Sequence, residues 1–212
     1  MLFNKESLMR PLQLTCNELS EFPWESAVHY AIWSAQTFYI VRQSTRLFAI
    51  AACRTPLADN AVHDRLLSHM RAEKGHEHLS NRDLKVLGMN LKEIPELSTT
   101  KCVYQTQYYW TEHVSPYAFF GYLLALESLA IHAGPQAHQR VCAAHGTKAS
   151  SFLKVHTEED ISHVEDVIDW IAKMPKAEQE LIYENYVHTL ENYKNMVIEI
   201  RTQALIQQLR SA

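Results

Sequence analysis

Apolar residues recur at helical spacing along nearly the whole chain, and the interruptions fall at proline and glycine. A first amphipathic helix is expected from Lys5 to Leu19. Pro23 then stands at a helix start before WESAVHYAIWSAQTFYIVRQSTRLFAIAACR, a long apolar stretch that must be largely buried and that Arg54-Thr55-Pro56 breaks. The spacing predicts a further helix from about Asn60 to Leu87, stopping at Gly88, with a connector around Pro95. TTKCVYQTQYYWTEHV follows, and Pro116 opens the helix of YAFFGYLLALESLAIHA, which Gly134-Pro135 ends. A short helix from about Gln136 leads to HTEEDISHVEDVIDW, in a helix continuing to Lys173. Pro175 precedes a long last helix, Ala177 to about Leu209. No repeat and no alternating strand pattern breaks this order, so the expectation is one all-α domain over residues 1–212.

Composition agrees. Of 212 residues, 47% are hydrophobic, enough for a substantial core, while 5 glycines and 7 prolines leave little material for tight β-turns. A net charge of -4, with lysine and arginine scattered, argues against nucleic acid and anionic membrane as partners. No apolar run is long enough to span a bilayer, and MLFNKESLMRPLQ lacks the apolar stretch of a signal peptide. Cys16, Cys53, Cys102 and Cys142 are widely separated, which fits a reducing cytoplasm better than a disulfide framework. The 12 histidines change the picture, because imidazole is a common metal ligand and their placement can be examined.

His156, Asp160 and His163 lie at i, i+4 and i+7, on one face of an amphipathic helix. In RAEKGHEH, Glu73 and His76 are three apart and are expected to share a helix face, the spacing that Asp160 and His163 repeat. Helical diiron carboxylate sites use such pairs, with single carboxylates from other helices. Random placement would itself supply such a pair, so context has to carry the weight. A third acid, Glu127, is embedded in GYLLALESLA among apolar neighbours. An ionised carboxylate there is costly unless paired. A metal cation removes that cost, as would an arginine or lysine arriving from another helix. A lone histidine on such a face is more often a hydrogen-bonded core residue. Taken together, Glu73, His76, Glu127, His156, Asp160 and His163 form an oxygen-rich, thiolate-free set that suits iron or manganese.

These residues resemble the heme-oxygenase-like diiron oxidases and oxygenases. Members of that family carry E-x-x-H, then D-L-x-x-L-G, then a glutamate in a GY…LE helix, then H-x-x-x-D-x-x-H. The chain shows Glu73-x-x-His76, Asp83-Leu84-Lys85-Val86-Leu87-Gly88, Gly121-Tyr122 with Leu126-Glu127, and His156-x-x-x-Asp160-x-x-His163, in that order. The resemblance implies a seven-helix heme-oxygenase-like bundle that binds two Fe(II) ions and no heme. It implies one iron held by His76, Glu127 and His156 and the other by Asp160 and His163, with Glu73 and Glu127 the carboxylates that can be shared. The implied activity is dioxygen-dependent oxidation of a small amino-acid- or fatty-acid-derived molecule through a bridged peroxo species, by C–C fragmentation, decarboxylation or N-oxygenation. One departure stands out: where some members place the first carboxylate, seven residues before the histidine, this chain has His69.

Other residues invite plainer readings. Glu77 and His78 are expected to turn away from the site, His113 and His188 to lie at the surface or helix ends, and Asp83 to bond backbone or an arginine. Tyr104, Tyr108, Tyr109 and Trp110 form an aromatic stripe suited to core packing or to lining a substrate pocket. Arg42, Arg46 and Arg54 are candidates to bind a substrate carboxylate. Rival classes on the same scaffold are a metal-independent thiaminase-like or cofactor-maturing enzyme, with Cys142 as nucleophile, and a non-enzymatic helical interaction protein. A heme oxygenase would need an early axial histidine, and the first is His29, in an apolar helix. The long last helix could support a homodimer.

Overall fold

Helix after helix forms where apolar residues recur at helical spacing, and each turn between them has a local cause. The computed structural model describes residues 5–211, with the side chains at 5, 158–163 and 203–211 excepted. The helices are α1 (Lys5–Ser20), α2 (Ala27–Val41), α3 (Ser44–Arg54), α4 (Asn60–Glu73), α5 (Glu77–Val86) and α6 (Ser98–Tyr109). They continue with α7 (Phe119–His132), α8 (Gly134–His145), α9 (Ser151–Ala172) and α10 (Lys176–Ser211). The described residues contain no strand, so the all-α expectation holds.

Two expected helices are broken. The apolar stretch after Pro23 becomes α2 and α3, divided at Arg42 and Gln43. The helix foreseen from Asn60 to Leu87 divides into α4 and α5, where Lys74 is extended (ψ 115°) and Gly75 takes φ +98°, a conformation open to glycine. Pro23 lies in the turn after α1, where Trp24 Nε1 donates to Leu19 O at 2.8 Å, rather than at a helix start. Gly134 and Pro135 open α8 at a 52° bend from the preceding helix.

The middle of the molecule is α7, buried at every residue from Phe119 to Ala125. It packs against α10 on one side and α9 on the other, while α3 packs on α4, α2 on α5 and α1 on α10. Gly121 makes the α7–α10 approach possible. A Cβ there would run into Ile182 O and lie 2.7 Å from Tyr186 N, backbone atoms that cannot swing aside. Nearby, Gln107 of α6 and Asn185 of α10 exchange amide hydrogen bonds of 3.0 and 2.7 Å in the dry interior. Among the described residues no single helix is long and apolar enough to cross a membrane.

Candidate metal centre

Glu73 is the last residue of α4, and His76 stands just before α5. The expectation of a shared helix face is therefore corrected: the extended Lys74 and the positive φ of Gly75 turn the chain so that the pair meets across a break. His76 Nδ1 lies 3.4 Å from Glu73 Oε2. The other oxygen of Glu73, Oε1, is 3.5 Å from His69 Nε2, one turn earlier on α4. His69 Nε2 also reaches α7, where Glu127 Oε1 is 3.1 Å away. His69 is 3% exposed and Glu127 7%, so the link is a buried one.

His156 comes from α9, whose start is held by a residue of α5. Asp83 is fully buried and accepts the backbone N–H groups of Ser151 and Phe152, both at 2.9 Å, satisfying donors that the first helical turn leaves over. His156 Nδ1 lies 2.9 Å from Phe152 O. A carbonyl only accepts, so Nδ1 carries the proton and Nε2 is left as the ligating nitrogen. The imidazole stacks on the Phe152 ring at 3.9 Å and meets the His76 ring edge-on at 5.0 Å. Glu73, His76 and His156 can each offer a donor atom such that all of these atoms lie within 4.8 Å of one another, close enough to hold one metal ion.

Charge within the cluster is partly compensated. Burial pulls the His69 pKa down, but hydrogen bonds with Glu127 and Glu73 outweigh it and raise the group to about 9. Burial pushes Glu73 up, while hydrogen bonds with His69 and His76 and the nearby His156 hold its carboxyl well below the usual range. In the metal-free protein an imidazolium thus sits between two carboxylates, where a cation would also be stable.

His69, Glu73, Glu127 and His156 form part of the wall of a cavity of about 120 Å³. The rest of the wall is largely apolar, with Trp33, Ile40, Phe48, Leu126 and Phe152 among its residues. An apolar pocket with a few convergent polar groups is the usual form of a small-molecule site. A sequence pattern described as "iron-containing redox enzyme" matches residues 31–193, a span that holds the whole cluster and the helices around it. The chain belongs to the iron-containing redox enzyme family.

No curated protein matches it. Among solved structures, a domain of unknown function with a heme oxygenase-like fold from Shewanella denitrificans OS217 superimposes with a TM-score of 0.86. The two are 14% identical over 98% of this chain and 96% of that one. A TenA homolog from Pseudomonas syringae pv. tomato DC3000 gives 0.74 at 11% identity, over 93% of this chain and 92% of that one. A CADD-like protein of unknown function from Nostoc punctiforme PCC 73102 gives 0.68 at 16% identity, over 92% and 88%. At such identities the likeness establishes the heme-oxygenase-like fold and nothing finer.

Of the six residues singled out from the sequence of this iron-containing redox enzyme, Glu73, His76 and His156 converge, and Glu127 joins them through His69. The side chains of Asp160 and His163 lie outside the described residues. His69 is the member that motif spacing did not select. Its signal was present in its position, four residues before Glu73 and seven before His76, on the inward face of α4.

The remaining candidates fall elsewhere. His78 points to solvent and Asp83 bonds backbone, both as expected. None of Tyr104, Tyr108, Tyr109 and Trp110 lines the cavity: Tyr108 donates to Gln43, Trp110 to His188, and Tyr109 is exposed. Arg42 pairs with Glu96 at 3.3 Å and lies over the Tyr39 ring, while Arg46 and Arg54 are exposed. No lysine or arginine occurs among the described residues of the cavity wall. Cys142 contacts Ser150 at 3.1 Å and is not part of that wall. His29 is buried against Ser26, 2.8 Å from its hydroxyl.

Proposed function

We propose that this iron-containing redox enzyme is a non-heme diiron oxidase or oxygenase that uses dioxygen to oxidise a small molecule. The observation that carries the reading is the convergence of Glu73, His76 and His156 beside an apolar cavity that Glu73 and His156 help to line, with Glu127 tied in by His69. The donor set fits iron: imidazoles and carboxylates, no thiolate, and two acids that share one imidazolium. His76, Glu127 and His156 would hold one ion, and Asp160 and His163 the other, with Glu73 shared; manganese suits the same ligands. When bound, ferrous iron supplies the electrons that convert dioxygen into an oxidant able to attack a C–H or N–H bond.

The chain's own part is to position and to exclude. Phe152 O keeps the proton of His156 on Nδ1, and Asp83 fixes the first turn of α9, one turn before that imidazole. His69 holds Glu73 and Glu127 in register. Apolar walls keep water from the oxidising centre, which protects a reactive species from side reactions. Substrates derived from amino acids or fatty acids, and outcomes such as C–C fragmentation, decarboxylation or N-oxygenation, fall within this reading.

Anaerobic loading with Fe(II), removal of excess metal and mixing with oxygen tests it. About two irons per chain and a transient visible absorption are expected. Glu73→Gln and His156→Ala should each lower the iron content. Failure to take up iron, or oxidation that persists after exhaustive chelation, would sink the assignment and select the metal-independent use of the scaffold.

A further inference from the structure

Tyr122 lies on α7, five residues before Glu127, with its ring stacked 5.4 Å from that of Phe119. It is 1% exposed and lines the cavity, yet its hydroxyl has no hydrogen-bond partner among the described residues. Burial, and after it the negative charge of Glu73, hold the phenol well above its ordinary pKa, so it remains a neutral O–H with a proton to donate.

Thr37 repeats the situation on α2. It is 5% exposed, it lines the same cavity, and its Oγ1 is also without a partner. Thr157 of α9 does the same, its Oγ1 unpartnered on that wall, whereas other threonines are paired. Thr55, Thr106, Thr111 and Thr202 all return their hydroxyls to the carbonyl four residues earlier, at 2.6 to 3.1 Å. A buried hydroxyl left unpaired costs free energy, and three on one wall, at Thr37, Tyr122 and Thr157, call for an acceptor that enters the cavity.

What that acceptor is follows from the rest of the wall. No lysine or arginine occurs among its described residues, and the imidazolium of His69 is already engaged by Glu73 and Glu127, so the described wall offers no further cationic side chain to a charged head. Its carboxylates are gathered at the metal centre, and the remainder is aromatic and aliphatic. We propose that Tyr122 donates a hydrogen bond to the oxygen of a carbonyl, carboxyl or hydroxyl group on an otherwise apolar substrate, with Thr37 as a second donor on the same wall. This assigns a substrate-binding role to two neutral hydroxyls, in place of the surface arginines that the sequence suggested. It rests on the proposed function only in taking this cavity for the substrate site.

The metal-free full chain allows a test that does not depend on iron. The probes are 2-heptanone, which accepts hydrogen bonds and cannot donate them, and toluene, which does neither; affinities are read by ligand-observed NMR. Tyr122→Phe removes one oxygen and should weaken 2-heptanone about five- to tenfold while leaving toluene unchanged. Thr37→Val should weaken the ketone about two- to fivefold. The melting temperature of Tyr122→Phe should stay level or rise, because the hydroxyl has nothing to lose in the free protein. No ketone binding by the wild type, equal ketone affinity in Tyr122→Phe, a parallel loss of both probes, or a marked drop in melting temperature would each overturn the proposal. Ketone binding that depends on Tyr122 in a chain that takes up no iron would leave this inference standing and remove the diiron assignment.

Discussion

His69 shows how much one side chain can depend on its surroundings. Its Nε2 lies 3.1 Å from Glu127 and 3.5 Å from Glu73, with His69 and Glu127 buried and Glu73 half-buried. Removing the imidazole leaves two acids facing each other with less compensation. His69→Ala should therefore destabilise the metal-free protein by about 3 kcal/mol, read from the urea midpoint. Mn(II) should restore more stability to that variant than it adds to the wild type, since a cation binding the folded form takes over the lost charge. An unchanged midpoint would show that Glu73 and Glu127 find other partners. Glu127 itself was legible from its apolar neighbours. His69 was legible by position but its bridging role was not, because spacing tells which face a residue occupies and not which group on another helix it meets.

At the scale of elements, the centre depends on where helices stop. The sequence pattern runs unbroken from Asn60 to Leu87, yet the chain turns at Lys74 and Gly75 and brings His76 back toward Glu73. A lone glycine in a helical pattern reads as tolerated, and only its φ of +98° reveals a break. Gly121 works by the opposite means: its φ is ordinary and the space around it is absent. Gly121→Ala would push α7 from α10 and is expected to cost about 2–3 kcal/mol by chemical denaturation, with loss of iron binding because α7 carries Glu127. A variant as stable as the wild type would mean that the two helices can separate without strain. Asp83, in a motif noted for its order alone, proves to join α5 to the start of α9, and so ties the elements that follow His76 and bear His156.

Across the whole molecule, ties between distant segments add to the continuous apolar core. Arg140 of α8 donates to both carboxylate oxygens of Glu25, at 2.6 and 2.7 Å, and to Ser20 O at the end of α1. Hydrogen bonding to Arg140 lowers the Glu25 pKa to about 2. Because the folded value lies below the unfolded one of about 4.3, the pair stabilises the protein above that pH and loses its effect as pH falls toward 2. The melting temperature of Glu25→Gln should thus trail the wild type by a small, constant margin above pH 5 and converge with it in acid. A constant gap at all pH values would rule the ion pair out as the cause. By itself the sequence determined an all-helical chain, most helix ends and four motif elements in the order shared by the diiron oxidases and oxygenases, because periodicity, proline and motif spacing are local properties. Only the tertiary structure decided that Glu73 and His76 meet across a turn, that His69 bridges α4 and α7, and that Tyr122 and Thr37 face one cavity. Those relations join residues far apart in the chain, and packing rather than spacing sets the distances between them.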